Sequence, residues 1–495
     1  MGFKVDSSFL RFLTMGALAS QRVMGLMTQA GLRPIELERY SSSNKIWTTK
    51  VKRLRLPDLL CVKTGLRVEV RAKSDLAIRM SDAPENEARR WFSGLNGDDI
   101  IAFVQCQPGI GVPIPAENAE LFWVKHLQAV SESDTRLGPP KSAGEGSERD
   151  RTWSSIVATR GGEVLEVTSE KIATKLDGGR SQSYRLRGMT PYVKRGSRFA
   201  AETEFLAGLP ERKAGFSEIA SRHWNPRTLA TGTPLDQYVA AKALGVVGTN
   251  ADFALLQSLH NNSADSRVSL EAAGSLAKLG AAVGLEWLEK EINEPRESYL
   301  RMEGVFLLSE LQGSALQGDA AKLLAEIASR DDLMGDESRQ AAIWGLGRAG
   351  LCAFEELVSF LDVEDENERI HAMVALGPQL PAPIVRKLVA IVSEEGSSER
   401  QKASALHVLS RLNDVSAAAR QLSEVAAGGN RYAAAWARAT LGSMEPEQVR
   451  NVVRDAGVLE DILPLQLLSI GSNWTRNEST LESLNFIQKQ TVFGS

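Results

Sequence analysis

Residues 56–76 read LPDLLCVKTGLRVEVRAKSDL, and this stretch decides how the N-terminal part folds. Val68, Val70 and Ala72 alternate with Glu69, Arg71 and Lys73, the period of a strand with one apolar and one charged face. Thr64-Gly65 supplies a turn that sends the preceding run, Leu59–Val62, back along that strand as a hairpin. The hairpin returns Asp58 to the side of Glu69. Two carboxylates and a cation then converge at one end of a half-buried sheet. A hard divalent cation such as magnesium takes oxygen donors of this kind, and a phosphodiester needs the positive charge beside them.

Outward from the hairpin, a helix is expected at Ser8–Ala30, strand pieces at Ile35–Tyr40 and Ile46–Val51, and a later strand at IIAFVQC, 100–106. Helix, motif-bearing hairpin, helix and strand, over roughly residues 5–130, resemble the PD-(D/E)xK (restriction-endonuclease-like) nuclease superfamily. The resemblance implies that Asp58 and Glu69 bind Mg2+ or Mn2+ and that Asp58, Glu69, Arg71 and Lys73 form the catalytic set. Arg71 stands where the pattern has lysine. An arginine stays protonated and cannot be a general base, though it can stabilise phosphate charge. Lys73 lies one strand repeat further on the same face and is the candidate replacement. On the same resemblance, Gln21 or Gln29 could reach the site from the first helix, and Trp91 and Gly94 belong on or after the helix that covers the sheet. The alternative is an ordinary hairpin with Glu69, Arg71 and Lys73 as a solvent-facing charge ladder.

Just before the hairpin, KIWTTKVKRLR (45–55) holds Lys45, Lys50, Lys52, Arg53 and Arg55 around a tryptophan. With Arg79 after the hairpin these are the candidate nucleic-acid-binding residues, suited to phosphate contacts. An edge strand defended by positive charge is the other reading.

Residues 131–151, SESDTRLGPPKSAGEGSERDR, carry Gly, Ser and Pro with almost no apolar residues and are expected to be a flexible linker that ends the first domain at 130. Short alternating runs then fill 152–210, with Gly161-Gly162 and Gly178-Gly179 as expected hairpin turns. Their ending resembles the barrel-sandwich hybrid fold of biotinyl and lipoyl domains. The carrier-lysine signature is missing, so a small all-β, barrel-like interaction module is expected. Residues 211–234, rich in Gly and Pro, are a connector.

From 235 to 495 apolar-Ala segments recur: YVAAKALGVVG (238–248), LEAAGSLAKLG (270–280), LRMEGVFLLSEL (300–311), RQAAIWGLGRAG (339–350), RIHAMVALGPQL (369–380), QKASALHVLSRL (401–412) and YAAAWARATLG (432–442). Arg339, Arg369, Arg400 and Arg431 mark one register, which predicts Ala342, Ala372, Ala403 and Ala434 between close-packed helices. Helical pairs that cannot bury their apolar stripe alone stack into a solenoid. The repeats resemble the HEAT family, whose all-α solenoids imply a protein partner or self-association. His371 and His407 fall inside repeat helices and read as core or groove residues.

The chain of 495 residues is long enough for several domains, with ordinary globular composition: 43% hydrophobic and 24% charged. Three separated cysteines exclude a disulfide framework and a cysteine-rich zinc site, and fit a cytoplasmic location. No apolar run is long enough to span a membrane, and Arg11 and Arg22 break the apolar N-terminus, which therefore reads as a mature helix rather than a secretory signal. The net charge of −4 hides an asymmetry: residues 1–130 hold 18 Lys and Arg against 13 Asp and Glu, 131–230 hold 17 against 13, and 231–495 hold 23 against 36. Nucleic acid, DNA in the first instance, is thus expected at the N-terminal half. The combined expectation is a multidomain, metal-dependent phosphodiesterase with a protein-binding solenoid, an architecture that resembles prokaryotic restriction or antiviral defence components. Its rival is a non-catalytic scaffold that keeps a degenerate nuclease fold and assembles a complex through its repeats.

Overall fold

The computed structural model describes residues 7–37, 55–107, 113–141, 148–219, 223–348, 353–428, 430–444 and 446–462. The described residues fall into two compact units: one spans residues 11–239 and carries mixed sheets, and the other runs from Ala240 onward, takes in residues 7–10 as well, and is helical. None of the described helices is long and apolar enough to cross a membrane.

In the first unit α1 (Ser7–Gln29) buries Met15, Ala19, Val23 and Met27, a stripe with one residue per turn. Gly31, at φ 79°, ends it and turns the chain into β1 (Pro34–Glu36). β1, β2 (Leu59–Cys61) and β3 (Arg67–Lys73) run antiparallel in sequence order. β5 (Ile100–Gln107) then lies parallel to β3, and β6 (Ile114–Pro115) and β7 (Glu120–Trp123) pair antiparallel with β5. Leu59, Val68, Val70, Ile100, Ala102 and Val104 form one core with α1. Ile101, Phe103 and Phe122 point to the other face and form a second core with Met80, Trp91, Trp153 and Phe205.

The helix expected over this second face is replaced. Among the described residues between β3 and β5 there is only a 3-10 turn, Glu87–Arg89, beside the short strand β4 (Arg79–Asp82). Pro84, Gly94 and Gly97 interrupt the segment, which is too broken for an α-helix. The cover comes instead from a second sheet, in which β4 pairs with β9 (Arg149–Thr152), which in turn pairs with β8 (Arg136–Leu137).

The flexible linker expected at 131–151 is therefore corrected for its described residues. They hold a 3-10 turn at Glu132–Asp134 and the strands β8 and β9. Arg151 is buried and its Nε lies 2.6 Å from Asp82 Oδ2, while the Trp91 backbone N–H donates to Asp82 Oδ1 at 3.1 Å. Polar composition concealed a strand whose inward charge has a buried partner.

Residues 152–210 form two small sheets: β10 (Ser155–Val157), β16 (Phe205–Gly208) and β14 (Thr190–Pro191) in one, and β13 (Ser181–Arg185), β12 (Lys171–Leu176), β11 (Gly162–Val167) and β15 (Arg198–Phe199) in the other. Gly178 and Gly179 lie in the turn between β12 and β13, as expected, with Gly179 at φ 79°. Gly161-Gly162 is no hairpin turn, because β10 pairs with β16 instead of β11. Trp153 and Phe205 belong to the second core, so this module is not separated from the first domain. The expected connector also packs: Phe216 and Ile219 enter the α1 core, and Lys213 meets Glu120 at 2.7 Å.

In the second unit, helices run from Phe253–Asn262 to Pro446–Asp455, and each of the seven quoted repeat segments overlaps a helix of the chain through its described residues. Neighbours pack as pairs, among them Phe253–Asn262 on Ser266–Lys278, Ala382–Ser393 on Glu399–Ser410 and Ser416–Gly428 on Arg431–Ser443. Alternate helices also pack on each other, as do Ser298–Ser309, Glu337–Leu346, Glu366–Leu376, Glu399–Ser410 and Arg431–Ser443 in succession, which makes two layers. Ala342, Ala372 and Ala434 are buried, but Ala403 is exposed. The arginines are not equivalent positions. The helix N-caps are: Asp336, Asp365, Ser398 and Asn430 each accept a backbone N–H of the first turn. Seven residues beyond the last three caps stand Ala372, Ala405 and Ala437, all with 0% exposure.

Candidate functional site

β3 has an unusual polar face for a central strand: Arg67, Glu69, Arg71 and Lys73. At its first position Arg67 Nε and NH2 grip Asp99 at 2.9 and 2.5 Å, a buried two-bond pair just before β5. Burial pushes the Asp99 carboxyl above its usual range, and the bonds from Arg67 oppose that shift.

The hairpin does what its sequence requires. Cys61 and Gly65 close the turn, with the Gly65 N–H donating to the Cys61 carbonyl at 2.8 Å and Gly65 at φ 69°. Leu59 pairs with Val68 and Leu60 with Arg67. One step further in this antiparallel register, Asp58 faces Glu69. The Val70 N–H donates to Asp58 Oδ2 at 2.7 Å, so the aspartate continues the ladder just past the end of β2. Glu69 is 9% exposed, and Arg71 NH2 lies 2.6 Å from its Oε1.

Lys73 ends the row. Burial, followed by the nearby charges of Arg71 and Arg79, lowers its ammonium pKa to about 8; Asp150 opposes this and Lys141 adds to it. Two of these neighbours come from the supposed linker, where Lys141 Nζ and Asp150 Oδ1 are 2.8 Å apart. Sequence reasoning missed both. No local signal marks them, because RDRT in 149–152 is polar at every position and shows no apolar alternation.

Of the nucleic-acid candidates, Lys45, Lys50, Lys52 and Arg53 lie outside the described residues. Arg55 is exposed, at φ 54°, and its carbonyl sits so close to Gly94 that a Cβ there would be 1.9 Å from the oxygen. Arg79 pairs with Asp75 at 2.6 Å. Gln21 and Gln29 are exposed on α1, which covers the Val68 and Val70 face, opposite to Glu69. His371 is buried and His407 half-buried within repeat helices; burial holds both imidazoles down at about 4.

Asp58 and Glu69 suit a hard divalent cation in donor chemistry, since magnesium is commonly held by one or two carboxylates together with waters and substrate phosphates. Among the described residues no group of three or more His, Cys, Asp and Glu gathers for a metal. Binding at Glu69 Oε1 would require Arg71 to swing away from that oxygen.

Neither the family models nor the curated proteins compared with the chain give a match.

Proposed function

We propose that the first unit is a PD-(D/E)xK-type phosphodiesterase acting on nucleic acid, DNA in the first instance, and dependent on Mg2+ or Mn2+. The observation that carries this reading is the register that sets Asp58 opposite Glu69, with Arg71 and Lys73 following on the same strand face. The order of elements supports it too: helix, three antiparallel strands, then a strand parallel to the third. Asp58 and Glu69 would hold the metal, which when bound lowers the pKa of a coordinated water and offsets phosphate charge. Arg71 keeps its proton and places a guanidinium by the phosphate oxygens. Lys73, lowered to about 8, carries a proton at Nζ that it can give up or take back near neutral pH. The two-layered helices read as a HEAT-like solenoid that holds a protein partner or a second copy, an arrangement in keeping with a restriction or defence component.

A second reading has its own observation. The 2.6 Å pair between Arg71 and Glu69 is what a structural charge ladder makes, and it favours a scaffold with a degenerate site. Incubating plasmid, linear and single-stranded DNA with the chain and magnesium or manganese separates the two. Cleavage that is lost in Asp58→Ala and in Glu69→Gln is expected. Equal nicking by wild type and both variants removes the assignment. In melts without DNA, magnesium should raise the midpoint of the wild type alone; identical responses in all three proteins support the scaffold.

A further inference from the structure

The sheet β13-β12-β11-β15 buries Val164, Ile172, Thr174 and Leu176 on one face and turns Lys171 and Lys175 outward on the other. Lys171 stands directly opposite Arg185 in the β12–β13 register, with Ala173 opposite Ser183 and Lys175 opposite Ser181 beside them. Like charges directly opposite on antiparallel strands cost stability. Protection of an exposed edge accounts for Arg185, because β13 is the edge strand. It does not account for Lys171 and Lys175, since β12 lies inside the sheet. Between the two lysines the face is small, with Ala173 opposite Ser183. Residues 152–210 as a whole hold nine Lys and Arg against six Asp and Glu.

We propose that this outward face is a second nucleic-acid contact, taking the sugar-phosphate backbone of DNA through Lys171, Lys175 and Arg185. In its choice of partner it rests on the nucleic-acid reading above. Each strand residue advances about 3.3 Å, so Lys171 and Lys175, four residues apart, reach two points about 13 Å apart along a backbone, with Ser183 as a hydroxyl donor between them and Ser181 beside Lys175. The like-charged pair is relieved when phosphate lies over it. Without DNA, the face is held by its own carboxylates: Glu166 lies 3.7 Å from Lys171, and Glu163 stands opposite both Lys175 and Arg198. These acids compete with phosphate for the same cations.

The test is fluorescence anisotropy of duplex DNA with the full chain in EDTA, over a range of salt. The triple variant Lys171→Gln/Lys175→Gln/Arg185→Gln should weaken binding at low salt by at least about tenfold and reduce the salt slope by about 2–3, since each phosphate left without its cation lowers the slope by about 0.9. Glu163→Gln/Glu166→Gln should bind several-fold tighter, a gain that misfolding cannot produce. If the wild type binds and neither variant shifts affinity or slope, this inference falls and the nucleic-acid reading stands. If polyglutamate binds as well as DNA at equal charge, the face takes an acidic protein and the assignment to DNA is wrong. If the full chain binds no DNA, the nucleic-acid reading and this inference fall together.

Discussion

Arg151 reaches Asp82 from a strand 69 residues further along the chain, and both side chains are out of water. Its NH1 also donates to Thr135 Oγ1 at 2.6 Å. A buried pair of this kind adds little net stability over an apolar pair, but removing one partner strands the other charge. Arg90 Nε, 3.8 Å from Asp82 Oδ1, and the Trp91 N–H stay with the aspartate, so Arg151→Met is expected to lower unfolding stability by about 1–3 kcal/mol, whereas Asp82→Asn/Arg151→Met should recover part of that loss. Denaturant titration of the four proteins of this cycle checks it; a single variant within about 0.5 kcal/mol of wild type would mean the pair is not buried in solution. At this scale the legibility of the sequence depended on distance along the chain. Asp58 and Glu69 could be placed together because a single turn fixes a two-residue period. Arg151 could not, because nothing local says that an arginine between Asp150 and Thr152 points inward.

Among the helices the legible and illegible parts separate differently. The seven apolar-Ala runs located one helix of each successive pair, because these buried helices are apolar over much of their circumference, and gave no signal for partners such as Ala282–Asn293 and Ser416–Gly428. Register within the helix was read from the recurring arginines, and this fails at Arg400: it places exposed Ala403 where buried Ala405 belongs. Arginine side chains are long and can reach a partner from neighbouring positions, so they tolerate slippage. An N-cap does not, since its side chain must meet a backbone N–H of the first turn. Ser398 fixes this helix, with its Oγ accepting from the Gln401 N–H at 3.0 Å. Ala405→Glu should cost several kcal/mol through a buried, unpaired charge, and Ala403→Glu should change stability by less than about 0.5 kcal/mol. Thermal melts of both decide it. Equal midpoints would mean that neither the arginines nor the caps set the register.

For the whole first unit, the boundary drawn from composition at 131–151 fell in the wrong place, because a polar segment was taken for an unfolded one. Trp153 and Phe205 close the core over Ile101, Phe103 and Phe122. A chain of residues 1–141 should then lack cooperative melting and a near-UV signal, while 1–239 shows both; like melts for the two would restore the linker. The same closure has a consequence during synthesis. Once Phe122 has left the ribosome, one face of the central sheet waits for Phe205, more than 80 residues later. At ~5–20 residues per second the nascent chain carries that open aromatic face for on the order of ten seconds. The helical unit, built from contacts between near neighbours, has no comparable wait. The N-terminal sheet is thus the part of this protein that a chaperone at the tunnel exit would have to shield.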